Sequence, residues 1–440
     1  MQPPDYSSFL EIPFDAVDTC PCAGMIEMAS SFTWLDYSEK ERQKMLDILS
    51  ALKDHETRDE LGIGAVRDSF SDMFFPGTST IQTRARYFLF VPWIYRSLEE
   101  KKVPSTKIEK RAREEEVSLI KKLLASDDTD GVIGKDAKEN LKRLPSSIYW
   151  QGMETWGIRL CPYPISAYHR SLDSFYRFGM DSSHSYEEEV DGYQKRRNWH
   201  PGLPSAPDDF AAKASFKLTG EEASYLKERV LARWPNTMLA CLLDSDMPSD
   251  SVPFPWDHPI CPDLPDPIKE KIFHARNFSE AIYGAALLYN LMLAEKASSA
   301  VGPDNDGLVS QFKDELKIWA DGLQSRRAEF DRWDYKGRFW EIVIEQGARA
   351  TGRTRYFVQE WLQMALSPSR AQKIAEDDSA RMLIHERGRQ LKGNLAKLDN
   401  SEALARWSRD SSVRMAGQLR YRWRPAEKII SDILTGLRRS

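Results

Sequence analysis

Residues 75–93 read FPGTSTIQTRARYFLFVPW. Hydroxyl groups on Thr78, Ser79, Thr80 and Thr83 follow a Pro76-Gly77 turn, and Arg84 and Arg86 lead into an apolar run. Such a stretch at a helix start favours an anion, because free backbone N–H groups and the helix dipole both attract negative charge. Thr78, Ser79 or Thr80 is expected to cap the helix. The Gly-x-x-x-x-Gly-Lys-Ser/Thr phosphate loop is absent, and Leu61-Gly62-Ile63-Gly64 lacks the strand and third glycine of a dinucleotide fold. From Tyr87 to Ile94 the helix is apolar on every face, so at least one arginine is expected to be enclosed, and an enclosed arginine needs an acid. Asp59, Glu60, Asp68 and Asp72 lie just upstream and are the expected partners. The alternative for Arg84 and Arg86 is a nucleic-acid phosphate or another anion.

Asp68 and Asp72 are four residues apart, on one helical face, where two carboxylates can hold a metal for phosphodiester hydrolysis beside Arg84. The sequence identifies no third ligand, and no metal or cofactor is expected. Glu341 and Glu345 pose the same question on a later helix. His-Glu-x-x-His, Gly-x-Ser-x-Gly and His-x-Lys are all absent. At the other end, LRYRWRP interleaves Arg420, Arg422 and Arg424 with Tyr421 and Trp423. Cations among aromatics suit phosphate contact plus base stacking on single-stranded nucleic acid. The alternative is a last helix paired with acids of the body.

A mainly α class follows from the elements that must position these groups. Thr106 with Glu109, Thr219 with Glu222, and Ser38 with Glu41 read as capping boxes at helix starts. Met45, Ile48, Leu49 and Leu52 continue the last of these at helical spacing. Residues 278–296 are apolar nearly all round, as a helix central to a core must be. Leu308, Phe312, Leu316, Trp319 and Leu323 mark a long amphipathic helix, and further helices are expected around 339–343, 357–361 and 429–437. Six prolines in residues 253–267 exclude a helix or central strand there. The expected organisation is therefore multi-helical, in two lobes joined by a proline-rich strap. Residues 1–27 would form a disordered or irregular extension, 28–250 an N-terminal helical domain, 251–267 the strap, and 268–440 a C-terminal helical domain with a basic end. A net charge of −5 argues against coating nucleic acid through bulk charge. Five scattered cysteines show no zinc-site spacing and read as free thiols. No apolar stretch reaches membrane-spanning length, and a cytoplasmic protein is expected.

The words SFTWLDYSEKERQ and RDELGIGAVRDSFSDMFFPGTSTIQTRARYFLFVPWIY resemble a family of uncharacterised bacterial proteins catalogued as a domain of unknown function. DGVIG at 130–134, LKRLPSSIYWQG at 141–152, WHPGLP at 199–204, LTGEEASYL at 218–226 and DILTGL at 432–437 extend the resemblance over about residues 28–440. The resemblance implies a setting among bacterial anti-phage and DNA-processing genes, and it carries no catalytic residue with it. It suggests an accessory or scaffold component rather than an enzyme, one that binds nucleic acid or a protein partner of a defence system. A metal-dependent hydrolase and a purely structural subunit are the alternatives.

Because residues 1–27 lack helical period and match none of these words, a chain beginning at Met28 should melt at the same temperature as the full chain. A drop of several degrees by calorimetry would mean that the extension is packed.

Overall fold

The computed structural model describes residues 59–181, 197–245, 251–301, 306–345, 347–409 and 417–439. The Ser38–Glu41 box, the helix expected after it and the extension 1–27 lie outside these residues. The described residues belong to one compact unit, and among them the only β pairing is a single antiparallel bridge between Arg159 and Trp199. Sixteen helices build the rest.

The N-terminal half holds α1 (Gly64–Phe74), α2 (Tyr87–Glu100), α3 (Ser105–Leu124), α4 (Pro145–Thr155), α5 (Ile165–Asp181), α6 (Gly220–Arg233) and α7 (Met238–Asp244). The apolar run of the opening stretch is α2, buried from Tyr87 through Tyr95 and packed on α3 and α4. The all-round apolar segment becomes part of α8 (Asp266–Val301), 36 residues and so about 54 Å long. It is flanked by α9 (Asp306–Ser325), α12 (Gly352–Ala365), α14 (Asp378–Lys392) and α15 (Ser401–Arg409). Three shorter helices, α10 (Arg327–Asp331), α11 (Arg338–Glu345) and α13 (Pro368–Ala371), and the closing α16 (Trp423–Leu437) complete the chain.

The expected two lobes are not what the packing shows. Helix α1 finds its neighbours in the C-terminal half: Ser69 Oγ donates to Val343 O at 2.6 Å, and the Phe70 ring lies 5.9 Å from Phe339 and 5.5 Å from Tyr421. Helix α16 returns to pack on α6 and α7. The proline-rich segment is itself packed. Its short 3-10 turns bury Trp256, Ile260 and Leu264, and Trp423 Nε1 donates to Val252 O at 2.9 Å. Prolines stop regular structure, yet their rings and neighbouring aromatics still bury apolar surface.

Of the described capping boxes, Thr219–Glu222 forms with both bonds present. Thr106–Glu109 does not. That helix begins at Ser105, whose N–H donates to Asp173 on α5 at 2.9 Å and whose hydroxyl bonds the same carboxylate. A tertiary acid has replaced the local one. The charged face of α3 is solvated as its i,i+3 and i,i+4 pairs suggest, with Arg111–Glu114 at 3.0 Å.

Its opposite face holds Glu116, which is fully buried. Glu116 Oε2 accepts from Ser146 N in the first turn of α4 at 2.7 Å, and Oε1 has no partner. Burial pushes this carboxyl up to about 7, from an ordinary value of 4.5. The folded state therefore holds a proton that the unfolded chain releases above about pH 4.5. Stability from the neutral acid is fully present below that pH and declines until pH 7, by about 3 kcal/mol. Glu116→Gln should flatten this part of the pH–stability curve and raise the melting temperature at pH 8. An unchanged slope between pH 5 and 7 in denaturant titrations would count against the assignment.

Candidate functional site

Helix α1 ends at Phe74, and the chain turns through Pro76-Gly77 under the Trp156 indole, whose Nε1 donates to Pro76 O at 2.8 Å. Gly77 has φ +80°, and an added Cβ would stand 2.4 Å from that nitrogen, so the turn requires glycine. The hydroxyls serve the turn and do not cap α2, which starts only at Tyr87. Buried Thr78 donates to Phe75 O at 2.6 Å, and Thr83 donates to Gly131 O at 2.6 Å. The Ser79 N–H donates to Gln82 Oε1 at 3.2 Å, and Thr80 is exposed.

The start of α2 does hold an anion, and the chain supplies it. The carboxylate of Asp432, from α16, accepts the Ala85 N–H at 3.0 Å and Arg84 Nε at 2.9 Å. Arg84 Nη1 donates to Asp128 at 2.7 Å and to Asp130 O at 2.9 Å. Tyr149 Oη accepts from Thr83 N and donates to Arg84 O, both at 2.9 Å. Burial disfavours charge on Arg84, but its bonds to Asp432 and Asp128 outweigh this and hold its pKa above the ordinary value. Arg86 takes a separate acid. Its Nη2 donates to Glu222 Oε1 at 2.6 Å and its Nη1 to Ser215 O at 2.9 Å, while the guanidinium lies 5.5 Å from the Phe90 ring. Glu222 Oε2 accepts the Thr219 N–H at 3.1 Å, so one carboxylate closes both the ion pair and the α6 capping box.

The upstream acids expected to pair with these arginines are engaged elsewhere. Asp59 accepts from the N–H groups of Ile63 and Gly64, and Glu60 meets Tyr289 and Lys397. Asp68 and Asp72 face Arg422, not Arg84. Arg422 bonds Asp72, approaches Asp68 at 3.6 Å, and donates to Thr78 O at 3.0 Å. Among the described residues, no group of three or more His, Cys, Asp or Glu side chains is placed to hold a metal. Glu341 and Glu345 pair with Arg338 and Lys271.

The aromatic half of the C-terminal motif is enclosed, which removes the base stacking expected of it. Tyr421 and Trp423 are each 1% exposed. Tyr421 donates to Ala275 O at 2.7 Å, and the Trp423 ring lies 5.6 Å from Phe75. Tyr421 and Arg422 have φ of +49° and +63°, a left-handed pair that costs on the order of 1–3 kcal/mol per residue. That turn aims Tyr421 into the core and Arg422 back to the Pro76-Gly77 turn. Arg424 reaches Ser251 and Glu427, and exposed Arg420 lies 5.5 Å from the Phe254 ring.

Asp128, Asp432, Glu222 and Tyr149 are the bonding partners of residues 83–86 that reading the opening stretch alone missed. Three of the words that carry the resemblance do contain members of the network: DGVIG opens with Asp130, LTGEEASYL holds Glu222, and DILTGL opens with Asp432. The chain is thus an all-helical protein, among the described residues, in which several of its distinctive sequence words supply partners to Arg84 and Arg86. The model of a family described as "Family of unknown function (DUF6361)" matches residues 29–436, and the chain belongs to that family. No curated protein and no solved structure matches it. No helix among the described residues is long and apolar enough to cross a membrane.

Removing one side of a buried pair strands the other charge, which typically costs about 3–5 kcal/mol. Arg84→Ala and Asp432→Ala should each lose that much in denaturant melts, and the double substitution should lose less than the sum. Melts matching the unaltered protein would show that the pair anchors nothing.

Proposed function

We infer that the chain is a non-catalytic accessory or scaffold component of the bacterial anti-phage or DNA-processing systems that the resemblance implies, and that it acts by binding a partner. One observation carries the reading: the polar groups best suited to chemistry close on one another. Arg84 is bonded to Asp432 and Asp128, Arg86 to Glu222, and Arg422 to Asp72. A hydrolytic site needs a metal or a general base aimed at open space, and Asp68 and Asp72 instead share a guanidinium. The same network ties the opening turn to α2, α6 and α16, which suits a rigid platform.

Incubation with single- and double-stranded DNA and RNA in Mg²⁺ or Mn²⁺ should give no cleavage, and neither metal should raise the melting temperature. Asp72→Asn should lower stability modestly, since this carboxylate is half-exposed. Metal-dependent cleavage that disappears in Asp68→Asn or Asp72→Asn would overturn the reading in favour of a hydrolase.

A further inference from the structure

The proline-rich segment and the start of α8 leave an open groove between them. It measures about 550 Å³, inside the range of roughly 300–1,000 Å³ that ligand sites occupy. Two other cavities, of about 10 Å³ each, have room for no more than a water. One wall of the groove is α8, where Lys269, Ile272, Phe273 and Arg276 recur at i, i+3, i+4 and i+7 and so share a face. The other wall is the proline-rich segment, which contributes Trp256, Pro259, Cys261 and Pro262. Arg326 and Glu329, at the junction of α9 and α10, complete the lining among the described residues.

The middle of the groove is apolar. Ile272 and Phe273 lie on one side of it, and on the other the prolines carry no N–H. The Cys261 thiol donates to Pro255 O at 3.4 Å, and burial, with Asp257 nearby, pushes its pKa up to about 11. It therefore stays protonated and adds apolar surface rather than a nucleophile. On the α8 wall a cation stands to each side of this middle. Glu280 is bonded by two guanidiniums, Arg276 Nε at 2.9 Å and Arg326 Nη1, so one carboxylate answers two positive charges. The Arg276 side chain is 38% exposed, and among the described residues its bond to Glu280 leaves both terminal nitrogens unengaged. Lys269 meets Asp266 at 3.8 Å, but that acid is almost fully exposed, where such a pair contributes little. The acids in the lining, Asp257 and Glu329, belong to the other elements.

We propose that this groove takes an extended acidic segment of a partner protein, in the pattern acid–apolar–x–acid. Lys269 and Arg276 are seven residues apart, which is about 10.5 Å along a helix. Residues three apart in an extended chain span about 9–10 Å, so two such acids meet the two cations together. The apolar residue between them covers Ile272 and Phe273. A nucleic-acid backbone fits less well. Its charge repeats at every nucleotide and would also meet Asp257 and Glu329, whereas a peptide turns acids to one wall and an apolar side chain to the other. The inference rests on the accessory reading above, for which it supplies the contact surface.

The test is a ligand-observed NMR titration of the full chain at low salt with the peptide Gly-Glu-Leu-Pro-Glu-Gly, the same peptide with Gln for Glu, and a single-stranded hexanucleotide. The acidic peptide should bind weakly, with its leucine methyls receiving the strongest transfer from the protein. Lys269→Glu and Arg276→Gln should each weaken it by about tenfold, and the Gln peptide should bind more weakly to the unaltered protein by at least as much. Both variants should melt as the unaltered protein does, since Lys269 is half-exposed and Glu280 keeps Arg326. No binding of the acidic peptide by the folded protein, or binding untouched by the Gln exchange and by both variants, would overturn the proposal. A hexanucleotide that binds more tightly than the peptide and is lost in Lys269→Glu would overturn it in favour of nucleic acid. None of these results decides the accessory reading, which fails instead on metal-dependent cleavage.

Discussion

The carboxylate of Asp432 is the point on which the rest of the arrangement depends. It lies where α2 leaves the preceding turn, bonded to the Ala85 N–H and to Arg84. The enclosed Ala85 N–H, just ahead of the helix, has no access to water, and an enclosed guanidinium cannot stay unpaired. One acid meets both requirements. Because that acid is carried by α16, the start of α2 fixes where the last helix runs, and α16 in turn lies on α6 and α7.

Glu222 repeats the economy at α6, serving a cap and Arg86 together. Between them the two acids hold Arg84 and Arg86 on separate sides, so residues two apart in sequence tie down two different helices. Arg422 extends the network to the surface, where it joins Asp72 and the carbonyl of Thr78. The strained backbone at Tyr421 and Arg422 is tolerated because the tyrosine ring is enclosed by Phe70 and Phe74 and its hydroxyl is bonded. Local strain is offset by burial, which is the usual condition for its persistence.

Much of this was legible as local pattern. The apolar runs at 87–94 and 278–296 specify buried helices whatever surrounds them, and the Thr219–Glu222 box needs only neighbours three residues apart. That Arg84 and Arg86 would need acids follows from the apolar helix they precede. Which acids could not be read, since the partners lie 44, 136 and 348 residues away and nothing in local spacing encodes them. The same limit explains the aromatic residues at 421 and 423. Alternation with arginine looks like a stacking surface until tertiary packing encloses every second residue.

The distance between Arg84 and Asp432 along the chain also bears on how the protein is made. Arg84 leaves the ribosome 348 residues before its acid. At synthesis rates of about 5–20 residues per second, that interval is roughly 17–70 seconds. Throughout it, the apolar helix after Arg84 can collapse with Asp128, 44 residues on, as the first acid of the guanidinium, while Arg84 Nε and the Ala85 N–H still lack theirs. The faces of α6 and α7 that α16 covers in the finished fold therefore stay without it until the end of synthesis.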